Sequence, residues 1–142
     1  MVIRLEYKSV FDIIGPVMVG PSSSHTAGAL EIARYARQQF GEEPEKVDIT
    51  LYNSFAKTYK GHGTDVALVG GILNFSADNL SIPDALEIAQ KSGIMISFTT
   101  SERIAQHPNT VTLVLIKGKK LLEVTGISIG GGSFKIVGER HV

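Results

Sequence analysis

Apolar positions recur with a helical period from Thr26 to Phe40. Ala29, Ile32, Ala33, Ala36 and Phe40 share a face, and Glu31, Arg34 and Gln38 lie off it. Gly41 follows in the position of a helix C-cap, and "EEPEK" is a polar connection. Val47, Ile49 and Leu51 then alternate with Asp48, Thr50 and Tyr52, which predicts a strand. From Asp65 to Phe75 the chain is apolar almost all round, the pattern of a buried helix. Gly70-Gly71 inside it costs roughly 1 kcal/mol per Gly against Ala, and close approach of another backbone would explain that cost. Ser81-Ile82-Pro83-Asp84 predicts the start of a third helix. Ser81 and Asp84 are spaced as in a capping box, Pro83 falls in the first turn, and Gly93 closes the helix.

The remainder reads as strands: Ile94 to Thr99, Thr110 to Ile116 and Lys120 to Ile129, the last two joined by the charged "KGKK" turn. Gly130 to Gly132 breaks the chain before a short strand from Phe134 to Val137. Near the start, Val10 to Ile14 is a short apolar segment, ended by Gly15-Pro16; Gly20-Pro21 is a second break. Helices come early and strands late. The expected class is therefore α+β, a mixed sheet with helices packed on one face.

Composition narrows the function classes. The 142 residues suit one domain, 1–142, with a core that needs no staples. Fourteen basic residues balance fourteen acidic ones, so nothing favours electrostatic capture of nucleic acid or of an anionic membrane. The absence of cysteine excludes disulfides, thiolate catalysis and any Cys-ligated metal centre built from this chain alone. No apolar run approaches the ~20 residues of a membrane span, and the N-terminus lacks a signal-peptide pattern. A soluble, cytoplasmic protein is the expectation.

Three stretches could carry chemistry. "GPSSSHTAGA", Gly20 to Ala29, puts Ser22, Ser23, Ser24, His25 and Thr26 at the mouth of a helix. One hydroxyl suffices for capping. The others could add donors to the free N–H groups and positive dipole end that attract a carboxylate or phosphate. His25 is the group here able to move a proton near neutral pH. A capped helix with surplus polar residues and an anion site are equally good readings of the spacing. In "TYKGHGTDVA", Thr58 to Ala67, Gly61 and Gly63 flank His62 and let the backbone approach a bound group. Asp65 stands three residues on and could orient the ring. Taken singly, this stretch is more simply read as a loop histidine beside a helix capped by Thr64 or Asp65. "GISIGGG", Gly126 to Gly132, lies between strands, so it predicts a tight turn or bulge and not a phosphate loop. "HPN" at His107 to Asn109 reads as a turn before a strand, and His141 lies in a polar tail.

Taken together, "SVFDIIGPVMVGPSSSHTAGA", "YKGHGTDVALVGG", "HPNT" and "TGISIGGG" occur in this order in the β chain of iron–sulfur-dependent L-serine dehydratase. The resemblance runs from about Ser9 to Gly132, and four motifs in order are specific. It implies a fold like the allosteric substrate-binding domain found in some 3-phosphoglycerate dehydrogenases. It also implies a cytoplasmic lyase subunit, inactive alone, that takes L-serine to pyruvate and ammonia. The [4Fe–4S] cluster would be ligated by cysteines of a partner α chain, and the lack of cysteine here fits that division. Carried over by motif, His25, His62 and Asp65 would be catalytic. Ser22, Ser23, Ser24, Thr26, Gly61, Gly63 and Thr64 would bind the substrate. The resemblance also implies that related β chains often carry a C-terminal ACT domain; with the sequence stopping at Val142, none is expected within residues 1–142, whether as a natural short form, a fragment or a chain regulated elsewhere. Homodimerisation stays open. The rival expectation is a regulatory module that binds serine or another small carboxylate without catalysis.

The first test follows from the cysteine count. After anaerobic incubation with iron and sulfide, the purified chain is expected to develop no band near ~400 nm, because thiolates hold such clusters. A stable cluster on this chain alone would overturn the division of ligands between two chains.

Overall fold

The computed structural model describes residues 24–52, 55–56, 63–103 and 108–142, with Ser24 and His25 described by their backbone alone. The segment Val10 to Ile14 lies outside them. Helix α1 is Ser24–Phe40, strand β1 Lys46–Tyr52, and helix α2 Thr64–Ile72. A 3-10 turn at Ile82–Asp84 runs into helix α3, Ala85–Lys91. Strands β2 Met95–Ser101, β3 Thr110–Lys117, β4 Lys120–Gly130 and β5 Ser133–His141 complete the chain. The five strands form one sheet in the order β2-β1-β3-β4-β5. The β1–β2 pair is parallel and the others are antiparallel, so the sheet is mixed and the class α+β.

Alternation decides which face of the sheet is covered. Val47, Ile49 and Leu51 of β1, Val111, Leu113 and Leu115 of β3, and Leu122 and Val124 of β4 are buried. Their neighbours in sequence on the opposite face stay partly open, as a strand's period of two requires. Helix α1 lies across β3, β4 and β5 on the buried face, and α2 and α3 follow it. The five residues expected on its apolar face are all buried. Leu30 and Ala67 form a second small cluster with Ile82, so α1 is enclosed by the sheet on one side and by α2 on the other.

The helix ends follow backbone chemistry more than side-chain capping. Gly41, at φ +84°, donates its N–H to Arg37 O and stops α1. Helix α2 stops at Ile72, three residues before the apolar pattern does. Asn74 takes the left-handed conformation, and Phe75 N–H reaches back to Gly70 O at 2.9 Å while Asn74 N–H meets Gly71 O at 2.8 Å. That is a Schellman motif with Asn where Gly is commoner. Gly93 closes α3 in the same way, with Ile94 N–H on Ala89 O. The capping box expected at Ser81 does not form. Ser81 makes no side-chain cap, and its carbonyl accepts Asp84 N–H in a 3-10 turn instead. Asp is a methylene shorter than the Glu that normally reaches back across a first turn.

Polar contacts tie α1 to the far strands. Lys120 Nζ lies 4.4 Å from the centre of the Phe40 ring and donates to Phe40 O, a cation at the negative end of the helix. Glu42 pairs with both Lys117 and Lys120, and these contacts hold its carboxyl below the ordinary range. Midway along α1, Tyr35 donates its hydroxyl to Glu139 of β5. That bond, with burial and the adjacent negative charge, pushes the phenol up to about 12. The same bond and a second from His141 hold Glu139 low.

The paired glycines of α2 turn out to be unlike. A Cβ on Gly71 would overlap Leu30 O and stand 2.6 Å from Ala33 Cβ and 2.7 Å from Arg34 N, so the α1 backbone passes directly over it. A Cβ on Gly70 would meet nothing nearer than Ile82 Cγ1 at 3.7 Å. Gly70→Ala is therefore expected to stabilise the chain by about 0.5–1 kcal/mol through helix propensity. Gly71→Ala is expected to destabilise it by about 1–3 kcal/mol through overpacking. Urea denaturation of the two variants checks this, and equal effects would contradict it.

Candidate functional site

The described parts of the four sequence stretches singled out above run to one end of the fold. Helix α1 begins there, and so does α2. Thr26, in the first turn of α1, and Thr64, the first residue of α2, are both buried. Their hydroxyls are 3.4 Å apart, bridging 38 positions of sequence. The third stretch arrives through Asn109, which is left-handed at φ +57° just before β3 and accepts Ser128 N–H at 3.1 Å. The fourth arrives through Ser128; with Ser133, just past the stretch, it flanks the β4–β5 turn, and both are buried beside α1.

Each segment reaches this place for a local reason. Gly63 is the N-cap of α2 at φ +73°, a conformation that disfavours any side chain with a Cβ, and it makes no side-chain cap. The simpler expectation, a cap at Thr64 or Asp65, is thus displaced by one residue. Asp65 stands in the first turn, and its Oδ1 accepts the N–H of Val66 at 2.8 Å, one of the donors that a helix start leaves unmatched. The glycine run does form a turn and bulges, as expected. Gly130, Gly131 and Gly132 all have positive φ, and the β4–β5 register shifts at Thr125/Gly126 and again at Ser128/Gly130. Gly126 carries no Cβ because Ile32 of α1 fills that space. Between the two shifts Ser128 stands opposite Phe134, and the second shift, passing over Ile129, sets Gly130 opposite Ser133.

Among the expected site residues, Thr26, Gly63, Thr64 and Asp65 are brought together at this end. Ser24 and His25 open α1 there by their backbone. Ser22, Ser23, Gly61 and His62 lie outside the described residues, as does His107. Ser128 and Ser133 are not among the residues expected at the site. Ser128 lies in the fourth motif, so its signal is in the order of the motifs and not in their spacing, and Ser133 follows that motif. The arrangement supplies two helix N-termini, several buried hydroxyls and one carboxylate. Helix N-termini of this kind attract anionic groups.

Two other features are set apart by their chemistry. A hollow of about 240 Å³ between α3 and β2 is lined by Leu86, Ala89, Gln90, Ile94, Ile96 and Phe98, with no ionisable side chain. Among the described residues no group of three or more His, Asp or Glu side chains could hold a metal ion, and the chain has no cysteine. The donor set of an iron–sulfur cluster is therefore not found in these residues. No described helix is long and apolar enough to cross a membrane.

Comparison with known proteins matches residues 9–93 to the family model of the serine dehydratase beta chain. The chain belongs to that family. It is 54% identical over 132 residues to a probable L-serine dehydratase, beta chain, of Bacillus subtilis, covering 93% of this chain and 60% of that one. It is 48% identical to the L-serine dehydratase, beta chain, of Peptoniphilus asaccharolyticus, covering 91% of this chain and 59% of the relative. The L-serine dehydratase TdcG of Escherichia coli is 32% identical over 94% of this chain and 34% of its own length. The chain thus spans about three-fifths of the separate beta chains it matches and a third of the longer enzyme. The matched segment 9–93 contains the first two motifs, and both longer alignments reach most of the chain.

The contact between the two helix starts can be measured. Thr26→Val and Thr64→Val each remove a buried hydroxyl and are expected to cost about 1–3 kcal/mol. Because the hydroxyls meet, the double variant should cost less than the sum, with a coupling of about 0.5–1.5 kcal/mol. Strict additivity in a denaturation cycle would mean that the two helix starts do not communicate through this pair.

Proposed function

We propose that this chain is one subunit of an L-serine ammonia-lyase, which converts L-serine to pyruvate and ammonia together with a cysteine-bearing α chain. The observation that carries the reading is the convergence of Thr26, Thr64, Asp65, Asn109 and Ser128 on one end of the fold. Family membership and the printed names of the relatives support the substrate and the partner. The α chain would hold the [4Fe–4S] cluster, whose iron supplies Lewis acidity toward a hydroxyl leaving group.

This chain's share of the work is binding and proton transfer. The start of α1, with the hydroxyls of Ser22, Ser23, Ser24 and Thr26, takes the substrate carboxylate against free N–H groups and the helix dipole. Gly61, Gly63 and Thr64 of the second motif bind the substrate beside it, the two glycines letting the backbone approach it. His25 removes the proton from the α-carbon, and His62, steadied by Asp65, acts on the same substrate from the second motif. The electron pair of the C–H bond becomes the Cα–Cβ double bond. The Cβ–O bond breaks, and the hydroxyl leaves as water after gaining a proton. Aminoacrylate tautomerises to the imine, water adds, and ammonia leaves with pyruvate.

The test is a complex of this chain with its α chain, reconstituted anaerobically and assayed for serine-dependent pyruvate. His25→Ala is expected to cut turnover by about 10²–10⁴-fold while leaving the Tm of the isolated chain nearly unchanged. If only His62→Ala loses turnover, His62 is the base. If neither variant does, the proton is taken by the partner and this chain is a carboxylate-binding module.

A further inference from the structure

The first turn of α1 carries the groups assigned to substrate and proton, so something must fix that turn in space. The sheet side of α1 offers one contact suited to the task. Gly28 lies one turn beyond His25 and faces the β4–β5 turn. A Cβ at position 28 would overlap Ser128 Oγ and would stand 2.9 Å from Ser128 Cβ and 3.0 Å from Ser133 O. The helix backbone therefore rests directly on Ser128 and on the Ser133 carbonyl. Ser128 is itself held, because its N–H donates to Asn109 O at 3.1 Å. The turn behind it is built from three glycines with positive φ, which sets where Ser133 returns. On the opposite side, Thr26 meets Thr64.

We propose that Gly28 and Ser128 form a positioning contact that sets the distance of the first turn of α1, and hence of His25, from the start of α2. Neither residue touches the reacting atoms. Gly28 acts by having no side chain, and Ser128 acts by filling the space that results. The part of this inference that concerns turnover rests on the lyase reading above; the contact itself does not. Displacing a reacting group by about 1 Å can cost 10²-fold in rate, so a methyl at this contact should be felt in catalysis.

The experiment records amide NMR spectra of the full chain and pyruvate formation by its complex with the α chain. Gly28→Ala is expected to move the amide signals of residues 24–30 and 63–66. It should also lower kcat by about 10²-fold, with a rise in KM because the carboxylate is assigned to the same turn. Gly28→Ala combined with Ser128→Gly reopens the gap and should return both readouts most of the way to wild type. A merely structural role would lower Tm and leave kcat of the folded complex alone. Unmoved amide signals in Gly28→Ala, or a double variant no closer to wild type, would overturn the proposal. Should Gly28→Ala not fold, Ser128→Thr adds a methyl from the other side of the same contact and must move the same signals. A wild-type complex that forms no pyruvate defeats the lyase reading, while the amide signals still decide the contact.

Discussion

Helix α1 is held in close contact on two sides, each time at a glycine. Gly71 lets it press on α2, and Gly28 lets it press on the β4–β5 turn. The rest of the molecule depends on this double approach. The sheet is covered mainly by α1, and α2 and α3 pack outward from it. If α1 stood off from α2 by the thickness of a methyl group, the Thr26–Thr64 contact at 3.4 Å would open, and if it stood off from the β4–β5 turn, that contact would be compressed. Interiors are packed as densely as organic crystals, so such a shift has no slack to absorb it.

The opposite end of α1 is secured by different means. Lys120 caps Phe40 by charge and by its position over the ring, and Glu42 gathers Lys117 and Lys120. These are exposed or half-exposed groups, so each contact contributes little on its own. The contrast has a physical logic. The end with the candidate site is fixed by steric fit and buried hydroxyls, which salt does not screen, while the remote end uses surface charge.

Much of this could be read from the chain. The period of Ala29, Ile32, Ala33, Ala36 and Phe40 located α1, and alternation at Val47, Ile49 and Leu51 located β1 and its buried face. The guess that another backbone passes close to Gly70-Gly71 holds at Gly71 and fails at Gly70, because sequence does not say which of two adjacent glycines faces a neighbour. Asn74 ended α2 earlier than the apolar pattern suggested, since a Schellman motif depends on backbone hydrogen bonds that hydrophobicity does not encode. For the site, Thr26, Thr64 and Asp65 were legible because each opens a helix. Ser128 was not legible, because its partner is the absent side chain of Gly28, and a glycine announces freedom without naming what fills the space.

The two helix starts, the residue before β3 and the β4–β5 turn belong to stretches that begin at Gly20 and end at Ser133. No local piece of the chain contains the site. Strand β1 pairs with β2 and β3, which follow α2 and α3 along the chain, and Ser128 lies later still, in β4. Contacts of this range delay folding, because the entropy of closing long loops is lost before the contacts repay it. During synthesis the hydroxyl-rich mouth of α1 is therefore made early and completed last. A chain arrested partway carries the pieces of the candidate site without their arrangement, so that arrangement is a late-acquired property of the whole sheet.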